Sequence, residues 1–243
     1  MTSPDYFGFV ATAELPSGHC SRIWTDGLRV LKVPFQGEEM TTGRLAAERI
    51  SGWPGVHVYG SHAPSGALLM ERLGEPLSSA WRPEDDDSAI NVFLKLALAM
   101  RNVSSEEMTD LGSYVGASDP LAMRLLETVT ERTFLHGDLH HENILRDQQE
   151  SVWLAIDPKG LCGDPAYEAV AYVRNPTGLM QGVTDMDRFL HHRIELLSRG
   201  LYVPASRVWA WSLVDLQGEA HRQDSDRFRI LHTLRTMTDY VLE

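Results

Sequence analysis

The chain has 243 residues, of which 43% are hydrophobic and 23% charged, and a formal net charge of −12. That length is enough for one large domain or two lobes around a cleft. The acidic balance argues against a nucleic-acid partner, which would demand clustered Lys and Arg, and no apolar run approaches the roughly 20 residues of a membrane span. The charge is compatible with a cationic small substrate and equally with a plain solubility surface. The opening MTSPDYFGFV lacks a basic segment followed by an apolar core, and Cys20 and Cys162 are too few for a disulfide framework. A cytoplasmic, monomeric protein with inert thiols is the expectation.

In chain order, Ser21 to Thr25 and Leu28 to Val33 flank Asp26-Gly27, a strong hairpin signal. Residues Glu38 to about Ser51 read as a helix whose acidic start suits the helix dipole, stopped by Gly52-Trp53-Pro54-Gly55. Val56 to Tyr59 and Ala67 to Arg72 read as two further strands, and Gly74-Glu75-Pro76 punctuates a hinge. From Pro83 onward the pattern is mostly helical. Asp85, Asp86 and Asp87 precede the apolar run Ile90, Phe93, Leu94, Leu96, Ala97 and read as charge at a helix N-terminus. A second helix is expected over Pro120 to Glu131, then short strands at Thr133–Leu135, Ile144–Leu145 and Val152–Ile156. Three helices follow, after Thr184, at Pro204 and after Asp224, the last carrying Phe228, Leu231, Leu234 and Val241 at helical spacing. The fold class is therefore α+β: a small strand-rich lobe (1–73) with one helix, a hinge (74–82) and a larger helical lobe (83–243). A cleft between two lobes is a usual place for a small-molecule site.

The chemistry concentrates in HGDLHHEN (136–143) and WLAIDPKG (153–160). Phosphoryl transfer uses an Asp and an Asn a few residues apart on one loop and a second Asp on the next strand. Asp138 is placed to take a proton from an attacking hydroxyl. Asn143 and Asp157 supply the hard oxygen ligands that Mg²⁺ takes beside nucleotide phosphates. His136 would brace the loop, His140 and His141 would line or flank it, and no zinc site is expected because no third well-spaced ligand is near. Lys32, amid apolar strand neighbours, needs a partner. The template gives it ATP phosphates and a helix carboxylate, here Glu39 or Glu48, with Glu48 preferred. Backbone amides near Ser17 and Gly18 could meet a phosphate, and backbone groups of Glu71 and Leu73 could pair with an adenine edge.

The strings VLKVP, LLMERLGEPL, LHGDLHHENIL, WLAIDPKG and GDPAYEAVAYVRNP resemble the aminoglycoside phosphotransferases of the protein-kinase-like superfamily, and HGDLHHENIL, AIDPKG and RNP look most like the streptomycin 6-kinase and hydroxyurea-resistance kinase branch. The resemblance is specific over 133–176. It implies a two-lobed kinase-like fold, with ATP and Mg²⁺ as cofactors and a hydroxyl on a small, cationic, sugar-like molecule as acceptor. It makes Asp138 the base, Asn143 and Asp157 the metal ligands and Lys32 a phosphate contact. Glu168 falls where relatives carry a loop-buttressing acid, and Asp164 would support the site from behind. Asp185, Asp187, Asp215 and Glu219 are candidates for the acceptor pocket. A metabolite kinase acting on a sugar or amino alcohol, and a non-catalytic nucleotide-binding relative, are the alternatives.

Overall fold

The computed structural model describes residues 5–16, 20–35, 37, 40–116, 118–147, 152–218 and 225–240. The first strands are β1 (Ala13–Leu15), β2 (Ser21–Thr25) and β3 (Arg29–Pro34). Helix α1 (Thr42–Arg49), β4 (Val58–His62) and β5 (Ala67–Glu71) complete the small lobe. The five strands form one antiparallel sheet in the order β1-β2-β3-β5-β4. The expected Asp-Gly turn joins β2 to β3: Asp26 accepts the amides of Leu28 and Arg29 at 2.9 and 2.7 Å. Alternation along β3 and β5 decides what faces the cleft. Leu31, Ala67 and Leu69 pack with Phe9 and Trp24 on the outer face. Val30, Lys32 and Met70 face inward, where Leu68 and Met70 meet Leu154 and Ile156 of the larger lobe. Lys32 is thereby carried into the cleft by strand periodicity.

Helix α1 begins at Thr42, without acidic residues in its first turn and without a side-chain cap. The expected acidic start at Glu38 and Glu39 lies outside the described residues. Val56, expected to open a strand, donates instead to the carbonyl of Ala155 at 3.0 Å and so crosses between lobes.

The larger lobe contains α2 (Asp86–Met100), β6 (Thr109–Asp110), α3 (Leu111–Val115), α4 (Pro120–Glu127), β7 (Thr133–Leu135), β8 (Ile144–Arg146), β9 (Trp153–Ala155), β10 (Leu161–Gly163), α5 (Val170–Val173), α6 (Met186–Leu201), α7 (Ala205–Gly218) and α8 (Ser225–Thr236). Strand β10 lies between β6 and β7, and β8 pairs with β9. Sequence pattern missed β6, β10 and α3, which are two to five residues long and too short to show a period. The helices bury one continuous core that includes Phe93, Leu125, Tyr172, Leu190, Trp211 and Leu234. On α8, Leu231 and Leu234 join this core but Phe228 is exposed; Val241 lies outside the described residues. No helix among the described residues is long and apolar enough to cross a membrane.

The acidic triplet does more than charge a helix end. Asp85 makes no capping bond and Asp87 meets exposed His192 at 2.7 Å. Asp86 is buried and forms a two-pronged pair with fully buried Arg193, at 2.9 and 2.6 Å. The remaining guanidinium N–H groups reach the carbonyls of Tyr172, Val173 and Asn175 at 3.2, 3.1 and 2.7 Å, and the Trp81 indole donates to Asp86 at 2.9 Å. Breaking such a pair by removing one partner strands a buried charge. Arg193→Met is expected to lower unfolding free energy by about 3–5 kcal/mol. The double variant Asp86→Leu/Arg193→Met should lose less than the sum of the two single losses. Urea unfolding of the three variants checks both.

Candidate active site

The loop after β7 and the hairpin β8–β9 build the site. The backbone N–H of Ile156 donates to the carbonyl of Asn143 at 2.9 Å, so Asn143, just before β8, and Asp157, just after β9, stand side by side. His136 Nε2–H donates to the Ile156 carbonyl at 2.8 Å, and its Nδ1 accepts the amide of Asp138 at 3.3 Å. Burial pushes the His136 pKa down to about 4, so the ring is neutral and holds this tautomer, as its bracing role requires. Gly137 has φ +79, and a Cβ there would come within 2.7 Å of Leu161; the loop turns only on glycine. The Asn143 side-chain amide donates to the carbonyl of Asp138 at 2.9 Å, closing the loop on itself.

Asp138 lies among cations. Arg174, after α5, donates Nη2–H to its Oδ1 at 3.0 Å. Lys159 Nζ is 3.8 Å from Oδ2 and His140 Nε2 is 3.9 Å from Oδ1. Burial alone would raise the Asp138 pKa, but Lys159 and Arg174 outweigh it and hold the carboxyl below its usual value. Asp138 is therefore ionised at neutral pH and is a weak base in water's terms, suited to orienting a hydroxyl and receiving its proton late. Burial keeps His140 and His141 neutral; His141 is packed against the ring of Tyr172, with centroids 4.3 Å apart.

Asp157 adopts a left-handed backbone, φ +58, a conformation that a non-glycine residue keeps only where its surroundings enforce it. Its Oδ1 is 3.1 Å from Lys32 Nζ. Asn143 donates with its nitrogen, which leaves its side-chain oxygen as the available ligand atom. One amide oxygen and one carboxylate, both hard, suit Mg²⁺ completed by water and phosphate oxygens. Beside them a cavity of about 320 Å³ is walled by Ile23, Val30, Met70, Leu145 and Ile156 and edged by Glu71, Leu73 and Gly74. Its size and flat apolar walls match a heteroaromatic ligand. At its edge the amides of Glu71, Arg72 and Gly74 are bonded to His57, Leu28 and Arg146. Among the described residues no backbone bond engages Leu73, so that residue offers both its N–H and its C=O.

Two expectations change here. Glu48 does not pair with Lys32: it accepts from Arg44 at 2.6 Å, one turn back on α1, because i,i+4 neighbours on a helix meet first. Of the acidic acceptor candidates, Asp185 caps α6 through the amide of Arg188 and Asp187 lies 3.5 Å from His191. Both are spent on local structure. Asp215, on α7, is brought to the site, 3.6 Å from Arg174 Nε. Glu39, Ser17, Gly18 and Glu219 lie outside the described residues. Asp164 caps the turn before α5 and pins Arg207 and Trp211 of α7 at 2.8 and 2.7 Å. Residues that sequence reasoning passed over are Lys159, Tyr114 and Arg174. Lys159 and Arg174 stand in the motifs WLAIDPKG and GDPAYEAVAYVRNP and Tyr114 lies outside any motif, and nothing in spacing alone says which side chain turns toward Asp138.

Glu168 is buried behind the loop, and its Oε2 accepts the amide of Gly137 at 3.4 Å. Burial raises its pKa to about 8, so it is largely protonated at neutral pH. An acid whose folded pKa lies above its unfolded value contributes stability that is complete below about pH 4.5 and is lost as pH rises through about 8. Glu168→Gln should flatten the fall in stability between those limits, by up to about 1.4 kcal/mol per pH unit. Chemical denaturation of both proteins across that range measures it.

Comparison with known proteins agrees with this geometry. Residues 98–226 match the family model described as "Aminoglycoside/hydroxyurea antibiotic resistance kinase". The streptomycin 6-kinase of Streptomyces glaucescens is 32% identical over 213 residues, covering 77% of this chain and 68% of the relative. That of Streptomyces griseus is 29% identical over 215 residues, 79% and 69% of the two chains. The fold is shared with a thermostable mutant of the aminoglycoside phosphotransferase APH(4)-Ia, solved as a ternary complex with ADP and hygromycin B, at a TM-score of 0.60, 14% identity and 92% coverage of each chain. With its two lobes, its cleft and its paired loops accounted for, the chain belongs to the aminoglycoside/hydroxyurea antibiotic resistance kinases and is a small-molecule kinase.

Proposed function

We propose that this kinase transfers the γ-phosphoryl group of Mg-ATP to a hydroxyl of a small sugar-like acceptor of the aminoglycoside kind, with streptomycin the first candidate. The observation that carries the reading is the disposition of Asp138. One carboxylate oxygen is held by Arg174 and the second stands toward Lys159, on a loop that the Asn143 side chain closes by donating to the Asp138 carbonyl. Residues 1–73 bind nucleotide, 74–82 form the hinge, and 83–243 supply the catalytic loop and acceptor site.

In this reading the base stacks between Val30, Met70 and Ile156, with Leu73 meeting its edge. Lys32 holds phosphate oxygens. Asn143 and Asp157 hold Mg²⁺, which neutralises charge on the phosphates when bound. Asp138 aligns the acceptor hydroxyl and accepts its proton. Tyr114, Lys159 and Asp215 flank the acceptor side; Asp215 is an acid within reach of a cationic acceptor. Phosphoryl transfer of this type depends on position and charge more than on covalent chemistry, which suits a carboxylate whose pKa is held low.

Asp138→Asn should reduce kcat by about 10²- to 10⁴-fold, with the KM for ATP changed less than about threefold because the nucleotide contacts lie elsewhere. Steady-state ADP release with streptomycin, other aminoglycosides, hydroxyurea and simple sugars as acceptors tests the whole reading. Turnover with streptomycin supports it. Turnover confined to simple sugars or amino alcohols overturns the acceptor class, and an active Asp138→Asn enzyme overturns the assigned base.

A further inference from the structure

The ammonium of Lys159 occupies a defined place in the site. Its backbone N–H donates to the carbonyl of His136 at 2.8 Å, and its carbonyl accepts the Thr42 hydroxyl at 3.0 Å. The side chain then runs toward α3, where Nζ donates to the Tyr114 hydroxyl at 2.6 Å and lies 5.2 Å from the centre of that ring. Backbone and head group are thus both fixed, while 30% of the side chain stays open to solvent.

The distance to Asp138 is the informative quantity. Arg174 takes Oδ1 at 3.0 Å, so Oδ2 is the oxygen left to work. Lys159 Nζ stands 3.8 Å from it, too far for a hydrogen bond. A single oxygen atom about 2.7–2.9 Å from each would bridge them, at the normal length of a charge-assisted bond. A lysine that served only as a counter-ion would be expected to close that gap, as Arg174 does on the other side.

We propose that Lys159 is a catalytic residue, its ammonium donating a hydrogen bond to the same acceptor oxygen whose proton Asp138 Oδ2 receives. The proposal rests on the reading of Asp138 as the base. In the step, the acceptor O–H bond breaks and its proton passes to Oδ2. The oxygen forms its bond to the γ-phosphorus, and the bond from that phosphorus to the β,γ-bridging oxygen breaks, ADP leaving with the electron pair. Lys159 keeps its protons throughout. Its charge stabilises the negative charge that appears on the attacking oxygen and on the phosphoryl group it joins. Tyr114 is a positioning residue, holding the ammonium off the carboxylate so that the gap stays open.

The test is full-length enzyme with Mg-ATP, assayed for ADP release both with streptomycin and without acceptor, where water takes the hydroxyl's place. Lys159→Met should lose about 10²- to 10³-fold in kcat, the usual cost of deleting one such donor. KM for ATP and for streptomycin should move less than about threefold, as expected for an interaction made chiefly in the transition state. Lys159→Arg should recover at least about tenfold of that loss, and Tyr114→Phe should lose about three- to tenfold in kcat, as weaker perturbations of the same donor. Thermal midpoints confirm that each variant is folded; should Lys159→Met fail to fold, Tyr114→Phe carries the test, and an unchanged kcat there overturns the proposal. Lys159→Met with wild-type kcat in both reactions, or a loss confined to KM, also overturns it. Loss of both reactions in Asp138→Asn but neither in Lys159→Met sinks the lysine and spares the base; an active Asp138→Asn sinks the reading beneath it.

Discussion

Both backbone polar groups of Ile156 are gripped, and the site depends on it. Its N–H goes to the Asn143 carbonyl and its C=O accepts from His136. One residue therefore fixes two loops that are 20 positions apart for the His136 bond. It sets Asn143 beside Asp157, and Asn143 in turn bonds the Asp138 carbonyl. The neutral state of His136 is part of the device, because a charged ring would lose the acceptor that holds the Asp138 amide. The left-handed backbone of Asp157 follows from the same constraint: the chain must leave β9 and turn at once to run along the catalytic loop.

A second line of force comes from the helical core. Arg193 gathers the carbonyls at the end of α5 while Asp86 neutralises it from α2. The next residue along that turn is Arg174, whose guanidinium reaches Asp138 and Asp215. A buried ion pair thus orients a second arginine, and the second arginine selects which oxygen of Asp138 remains available. Burial makes each contact costly to lose. The core and the chemistry are connected through contiguous bonded groups.

Much of this was legible in the sequence. Asp-Gly with alternating flanks identified the β2–β3 hairpin, and the same alternation turned Lys32 inward. The offsets among Asp138, Asn143 and Asp157 reported a loop and hairpin joined through the Ile156–Asn143 bond, and the roles proposed for these residues come from the family resemblance. What stayed hidden were side-chain choices settled by tertiary contact. Glu48 has a suitable separation from Lys32, yet Arg44 on its own helix is closer. Asp86 resembles its two neighbours in the triplet, and only the position of Arg193, 107 residues away, makes it different. Asp185, Asp187 and Asp215 read alike as acids on late helices; cap geometry and helix packing assign two to the surface and one to the cleft. Strands of two or three residues such as β6 and β10 have no periodicity to read.

The short helix of the small lobe is bonded to the larger lobe as well as packed on its own sheet. The Thr42 hydroxyl lies on the Lys159 carbonyl and near Thr109, and Arg49 reaches the carbonyl of Ser104 at 2.9 Å. The segment after the helix exchanges backbone bonds with Ala155 through Pro54 and Val56. The helix thereby stands at the mouth of the cleft like a doorpost, bonded to the loop that carries Lys159. With its carbonyl on Thr42 and its N–H on His136, the Lys159 backbone is anchored on both sides before any guest arrives.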